Sequence, residues 1–205
     1  MIIKKIIDLC KKRGICFLYE GEDVQYISDG AAIYPMYNLP RFDENTLCRT
    51  YDITDTQQEK IHFSHDKNLP INIDLSDNTD SETLCQKGPM VLSIAGGGAV
   101  PYITSQGLMF INAKYFAPLS DVRDNMLEVY ERISTSGETY FVIKSGFVLL
   151  AAVTPYEVIT REFIEDLSTL TNMCKVAFEN QQLSNHPKSQ QLKMFDEEGE
   201  DCGKS

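Results

Sequence analysis

Between residues 127 and 153, three apolar runs at 127–133, 139–144 and 147–153 are separated by little more than Ser136-Gly137 and Ser145-Gly146. Runs of that length bounded by Ser-Gly pairs read as strands, and connections this short force each strand to double back on the last. A three-stranded antiparallel meander is therefore the firmest constraint on the fold. An apolar sheet face cannot stay in water, so other elements must cover it.

The rest of the chain supplies candidates. Over residues 2–13, Ile2, Ile3, Ile6, Ile7 and Cys10 fall on one face while Lys4, Lys5, Lys11 and Lys12 fall elsewhere, the pattern of an amphipathic helix that Gly14 stops. Ile15 to Tyr19 read as a buried strand. Asp29-Gly30, between apolar runs at 24–28 and 31–36, predicts a tight hairpin because such turns need positive φ. Asp43-Glu44 opens a short helix through Leu47, Cys48 and Tyr51. Strands follow near 90–95, 99–104 and 107–111, then a short helical pattern through Tyr115, Phe116, Leu119 and Val122. A last helix from about Arg161 to Glu179 aligns Phe163, Leu167, Leu170, Cys174 and Phe178, with Thr160 as its cap. Gly96-Gly97-Gly98 lacks the Lys-Ser/Thr of a phosphate loop and is expected to turn a hairpin.

The expected fold class is α+β, antiparallel meanders packed with a few helices and followed by a disordered C-terminal tail. The stretch from about Asp66 to Gly88 is polar and acidic, so residues 76–88 read as a linker between an N-terminal lobe, 1–75, and a C-terminal lobe, 89–179. Residues 180–205 show no periodic apolar face and are expected to stay disordered.

Charge narrows the function. Thirty acidic residues against nineteen basic give a net charge of −11, which opposes nonspecific nucleic-acid binding by the surface as a whole. Two acidic groups dominate: Asp74, Asp77, Asp80 and Glu82, and then Asp196, Glu197, Glu198, Glu200 and Asp201. Their plain role is to keep polar segments solvated; the sharper one is to imitate DNA phosphates. No apolar run approaches the roughly 20 residues that span a bilayer, and nothing at the start resembles a secretory signal. The six scattered cysteines form no Cys-x-x-Cys pair, and three sit at apolar helical positions, so a reducing, cytoplasmic setting is expected. His62 and His65 lack a partner Cys pair, and a surface role is expected rather than a metal site.

No Gly-x-Ser-x-Gly elbow, His-Glu-x-x-His or dinucleotide fingerprint occurs, so a binding protein without cofactor or metal is expected rather than an enzyme. The sharpest binding motif lies in the tail: Gln191-Leu192-Lys193-Met194-Phe195, between a polar stretch and an acidic one. Gln, an aliphatic residue, any residue, then Leu or Met followed by Phe resembles the peptide that bacterial polymerases and mismatch-repair proteins dock on the ring-shaped DNA sliding clamp. That resemblance implies a clamp partner, bound through Gln191, Leu192, Met194 and Phe195, with polymerase or DNA engaged indirectly.

The body carries a second resemblance. Strand, short helix and three-stranded meander over 107–153, with Phe110-Ile111-Asn112-Ala113-Lys114-Tyr115-Phe116 and Ala152-Val153-Thr154-Pro155-Tyr156-Glu157-Val158, resembles half of a sliding-clamp domain. Asp29-Gly30 matches the Asp-Gly of clamp repeats. The wording of Val24-Gln25-Tyr26-Ile27-Ser28-Asp29-Gly30 and Leu39-Pro40-Arg41-Phe42-Asp43-Glu44 is similar to proteins carried in bacteriophage replication gene clusters. Three functions follow from these resemblances: an accessory protein that docks on the clamp, a clamp-like processivity subunit assembling as a ring, and an acidic inhibitor of host replication or defence.

Overall fold

Helix α1 (Ile3–Arg13) forms because Ile3, Ile6, Ile7 and Cys10 share one face, which it buries. Lys11, Lys12 and Arg13 occupy its last turn, where cations favour the negative end of the helix dipole. Gly14 ends it at φ +73°, donating its N–H to Cys10 O. A Cβ at Gly14 would stand 3.1 Å from Lys60 O, so conformation and space both select glycine there. The computed structural model describes residues 1–183 apart from 67, 71, 95 and 96.

After α1 come β1 (Ile15–Glu20), β2 (Gln25–Ser28) and β3 (Ala32–Pro35). Two short helices follow, α2 (Glu44–Thr50) and α3 (Asp55–Gln58), and then β4 (His62–Asp66). Asp43 caps α2 in a reciprocal box with Thr46. Next are two-residue strands β5 (Thr83–Leu84) and β6 (Gln86–Lys87), then β7 (Leu92–Ile94), β8 (Gly97–Thr104) and β9 (Gly107–Asn112). A 3₁₀ helix, Ala113–Leu119, leads through a short 3₁₀ turn to β10 (Glu128–Ile133), β11 (Thr139–Ser145) and β12 (Val148–Val153). Helix α4 (Arg161–Leu183) comes last. The fold is α+β, with the expected 127–153 meander present as β10–β12. The expected hairpin is present, with β7 and β8 paired antiparallel, but Gly97 and Gly98 open β8 and pair with Ile94 and Ser93. A Cβ at Gly98 would meet that of Ala113 at 3.1 Å, so the glycine admits a close approach.

Among the described residues, eight strands form one sheet in the order β4-β1-β2-β3-β12-β11-β10-β5, and β6, β7, β8 and β9 form a second. All pairings are antiparallel except β1 with β4. The large sheet joins the two expected lobes through β3 and β12, where Ile33 pairs with Ala152 and Ala32 with Val153. Strands from both sides of 76–88 thus share one sheet, and Met1–Val158 is a single compact unit. Helix α4 belongs to a second unit that starts at Ile159, rather than to a C-terminal lobe.

The strand order reads the same from either side of the β3–β12 pair. Going outward, β3-β2-β1 follows α1, and β12-β11-β10 follows the 3₁₀ helix, so a helix–strand–strand–strand unit occurs twice about an approximate dyad. The two helical elements meet: Ile2 N donates to Pro118 O at 2.7 Å, and Lys5 Nζ to Ser120 Oγ at 2.6 Å.

Alternation along the strands sends side chains to two cores. On one face Leu18, Ile27, Tyr34, Phe141, Ile143 and Val153 pack with α1, α2, the 3₁₀ helix and the second sheet. On the other, Tyr26, Ile33, Tyr140, Val142, Leu149 and Ala152 form a smaller cluster with Leu75 from the acidic stretch.

Candidate functional site

The four residues expected to bind a clamp, Gln191, Leu192, Met194 and Phe195, lie outside the described residues. Within them, folding assembles two polar centres, one on each face of the large sheet.

The first sits where the two halves meet. Asp29, buried at the β2–β3 turn, accepts from Ala31 N at 3.0 Å and Ala32 N at 2.9 Å through one oxygen. Gly30 beside it takes φ +85°, as the Asp-Gly hairpin signal requires. The other Asp29 oxygen accepts from Tyr115 Oη at 3.3 Å, and that hydroxyl accepts from Arg13 Nη1 at 3.2 Å. Tyr34 Oη donates to Tyr115 O at 3.0 Å. Burial first, and the Asp29 charge second, push the Tyr115 hydroxyl up to about 12. It is therefore a neutral donor at physiological pH, holding the turn of one half to the 3₁₀ helix of the other.

This junction lies beside the basic helix. Helix α1 carries Lys4, Lys5, Lys11, Lys12 and Arg13 against a single acid, Asp8, in a chain of net charge −11. Lys4, Lys12 and Arg13 are exposed, and Lys114 Nζ lies 4.8 Å from the Tyr115 ring centre. Positive charge is thus gathered on the helical side of the dyad.

The second centre is the acidic stretch itself, expected as a linker. It is strapped across the opposite face. Arg132 of β10 and Lys144 of β11 have side chains only 1% and 2% exposed. Glu82 answers both: one oxygen accepts from Arg132 Nε at 3.0 Å and Nη2 at 2.5 Å, the other from Lys144 Nζ at 2.7 Å. Arg132 Nη1 donates further to Asp74 O and Ser76 O, both at 2.9 Å, and Lys144 to Asn78 Oδ1 at 2.9 Å. Tyr140 Oη bonds both the N–H and the carbonyl of Asp74. Asp77 Oδ1 accepts from Leu149 N at 2.8 Å. Partial burial works against the Glu82 charge, but the bonds and charges of Lys144 and Arg132 outweigh it and hold the carboxyl below its ordinary value. The stretch adds Leu75 to the smaller core, and two buried cations need its acid and carbonyls. Sequence reading missed this pairing; its visible signal was Arg132 and Lys144 set among apolar strand residues, with four acids upstream.

His65 makes a 2.6 Å hydrogen bond with Glu20, which also pairs with Arg41 at 2.5 Å. Cys10, Cys16, Cys48 and Cys85 are buried free thiols. For Cys10, a hydrogen bond with Cys16, then burial, push the thiol far up. Among the described residues no cluster of His, Cys, Asp and Glu is arranged to hold a metal ion, and no helix is long and apolar enough to cross a membrane. The concavities among the described residues include one of about 600 Å³ along the strap, rimmed by Glu22, Asp23, Asp74 and Asp77. A second, about 340 Å³, lies between the sheets at Cys85, Tyr102 and Phe116. A third, about 230 Å³, is lined mainly by apolar sheet residues such as Phe17, Ile33 and Val153. The buried charges of the two centres are thus paired with partners that brace the fold. In comparisons with known proteins, the chain matches no family model, no curated protein and no solved structure.

Proposed function

We propose that the chain is a DNA-replication accessory protein, carried in a bacteriophage replication cluster, that docks on a bacterial-type sliding clamp in the host cytoplasm. The observation behind this reading is the motif Gln191-Leu192-Lys193-Met194-Phe195, set in a polar and acidic tail. Gln191 supplies hydrogen bonds in the clamp groove, while Leu192, Met194 and Phe195 fill its apolar pocket. Each apolar anchor contributes roughly 1.5–3 kcal/mol if fully buried. Ordering the peptide offsets much of that, leaving a micromolar affinity near −8 kcal/mol. On this reading the protein binds rather than catalyses, and its acidic surface stays off DNA. Co-elution of the full chain with a purified bacterial clamp tests it, the expected result being a complex that Leu192→Ala with Phe195→Ala abolishes.

A second reading, favoured by one observation, makes the body a clamp-like processivity subunit that assembles as a ring. Two helix–strand–strand–strand units about a dyad, with basic α1 on the helical side, support it. Mass in solution separates the two, since a ring requires several copies even when the tail motif is disabled.

A further inference from the structure

Helix α4 carries an apolar seam of unusual regularity. Phe163, Leu167, Leu170, Cys174 and Ala177 follow one another at alternating steps of four and three residues. That average of 3.5 is the period of helices that wrap around other helices. Large apolar side chains along this helix are in water: Leu167 is 46% exposed, Leu170 57% and Phe178 60%, and Cys174 is exposed as well. A run of exposed apolar residues this long marks an interaction surface.

We infer that α4 pairs with α4 of a second copy of this chain along that seam. Charge selects this occupant. Glu162, Glu165, Lys175 and Glu179 lie off the seam, and Arg161 is already paired with Glu165 at 3.0 Å along the same helix. At the positions flanking the seam, Asp166 is the single charge beside Ile164, Thr171, Met173, Phe178 and Asn180. Charges at those flanks are what reject a like helix and choose an unlike one, so a nearly neutral border lets two copies of a strongly acidic chain meet. Size sets the strength. At 1.5 Å per residue the helix is about 34 Å long, and a pair that length buries roughly the 1,200 Å² at the lower edge of stable specific interfaces. Association is therefore concentration-dependent. The inference stands apart from the clamp reading, because it uses no residue of the tail motif.

The experiment is sedimentation equilibrium on the full chain over a wide concentration range, with a short bis-maleimide cross-linker applied in a Cys202→Ser background. The expected result is a monomer–dimer equilibrium, with cross-linking that Cys174→Ser removes while the dimer mass persists. Leu167→Glu with Leu170→Glu should return the mass to that of a monomer. Both residues are exposed, so the thermal melt of the body should not change. A wild-type monomer at the highest soluble concentration, as would follow if α4 were covered by its own chain, overturns the inference. So does a dimer that survives the double substitution, which is also the outcome expected of a ring built on the body.

Discussion

Glu82 Oε1 lies 2.7 Å from Lys144 Nζ, joining the acidic stretch to the C-terminal end of β11. With Arg132 on its other oxygen, this single carboxylate pairs with two cations that have almost no contact with water. Removing one partner of a buried pair leaves uncompensated charge, which costs far more than the pair itself contributes. Glu82→Gln should therefore destabilise Met1–Val158 by about 3 kcal/mol or more. Lys144→Met, which leaves Arg132 and Glu82 together, should cost far less. Chemical denaturation of the three proteins checks the ordering; equal losses would show that the clasp is not cooperative.

Acid should open the same clasp. The folded state holds Glu82 below its ordinary value, so its contribution is complete above the unfolded carboxyl value of about 4.3. It is lost as pH falls through the lower folded value. Asp74, Glu20 and Asp43 are also held low, and act in the same direction. Stability measured by thermal melts should be level near neutrality and fall steeply below about pH 4.3, less so in Glu82→Gln.

The hydroxyl of Tyr115 ties the two halves at Asp29. In Tyr115→Phe, one Asp29 oxygen loses its donor and Arg13 loses its acceptor, while the two backbone bonds of the turn remain. The expected loss is about 1–2 kcal/mol, read by denaturant unfolding. Faster amide exchange should appear at Ala113–Leu119 rather than in β11.

Much of the fold was legible because local rules and tertiary needs agreed. Ser136-Gly137 and Ser145-Gly146 gave the meander, Asp29-Gly30 the hairpin, and Gly14 the end of α1. Thr160 Oγ1 also caps α4 as its position suggested, accepting from Phe163 N at 3.2 Å. The lobes were misplaced for a physical reason. The β3–β12 pairing joins Ile33 to Ala152 and Ala32 to Val153, positions far apart in the chain, and no local signal records such a partner. The strap was misread because its acids look solvated in one dimension; Arg132 and Lys144 make them structural only after folding. Cys174 was placed on an apolar helical face, which was right for the helix, but the face is exposed. The tail motif could be read only from sequence, since its residues lie outside those described.

The central claim is clamp docking through the tail, and calorimetric titration of the full chain against a purified bacterial sliding clamp tests it most directly. The account predicts micromolar binding. Leu192→Ala with Phe195→Ala should weaken it more than a hundredfold, about 3 kcal/mol. Lys193 occupies the variable position and faces solvent, so Lys193→Ala should change little. Undetectable heat with wild-type protein at high micromolar clamp, or equal binding by the double variant, would contradict the account.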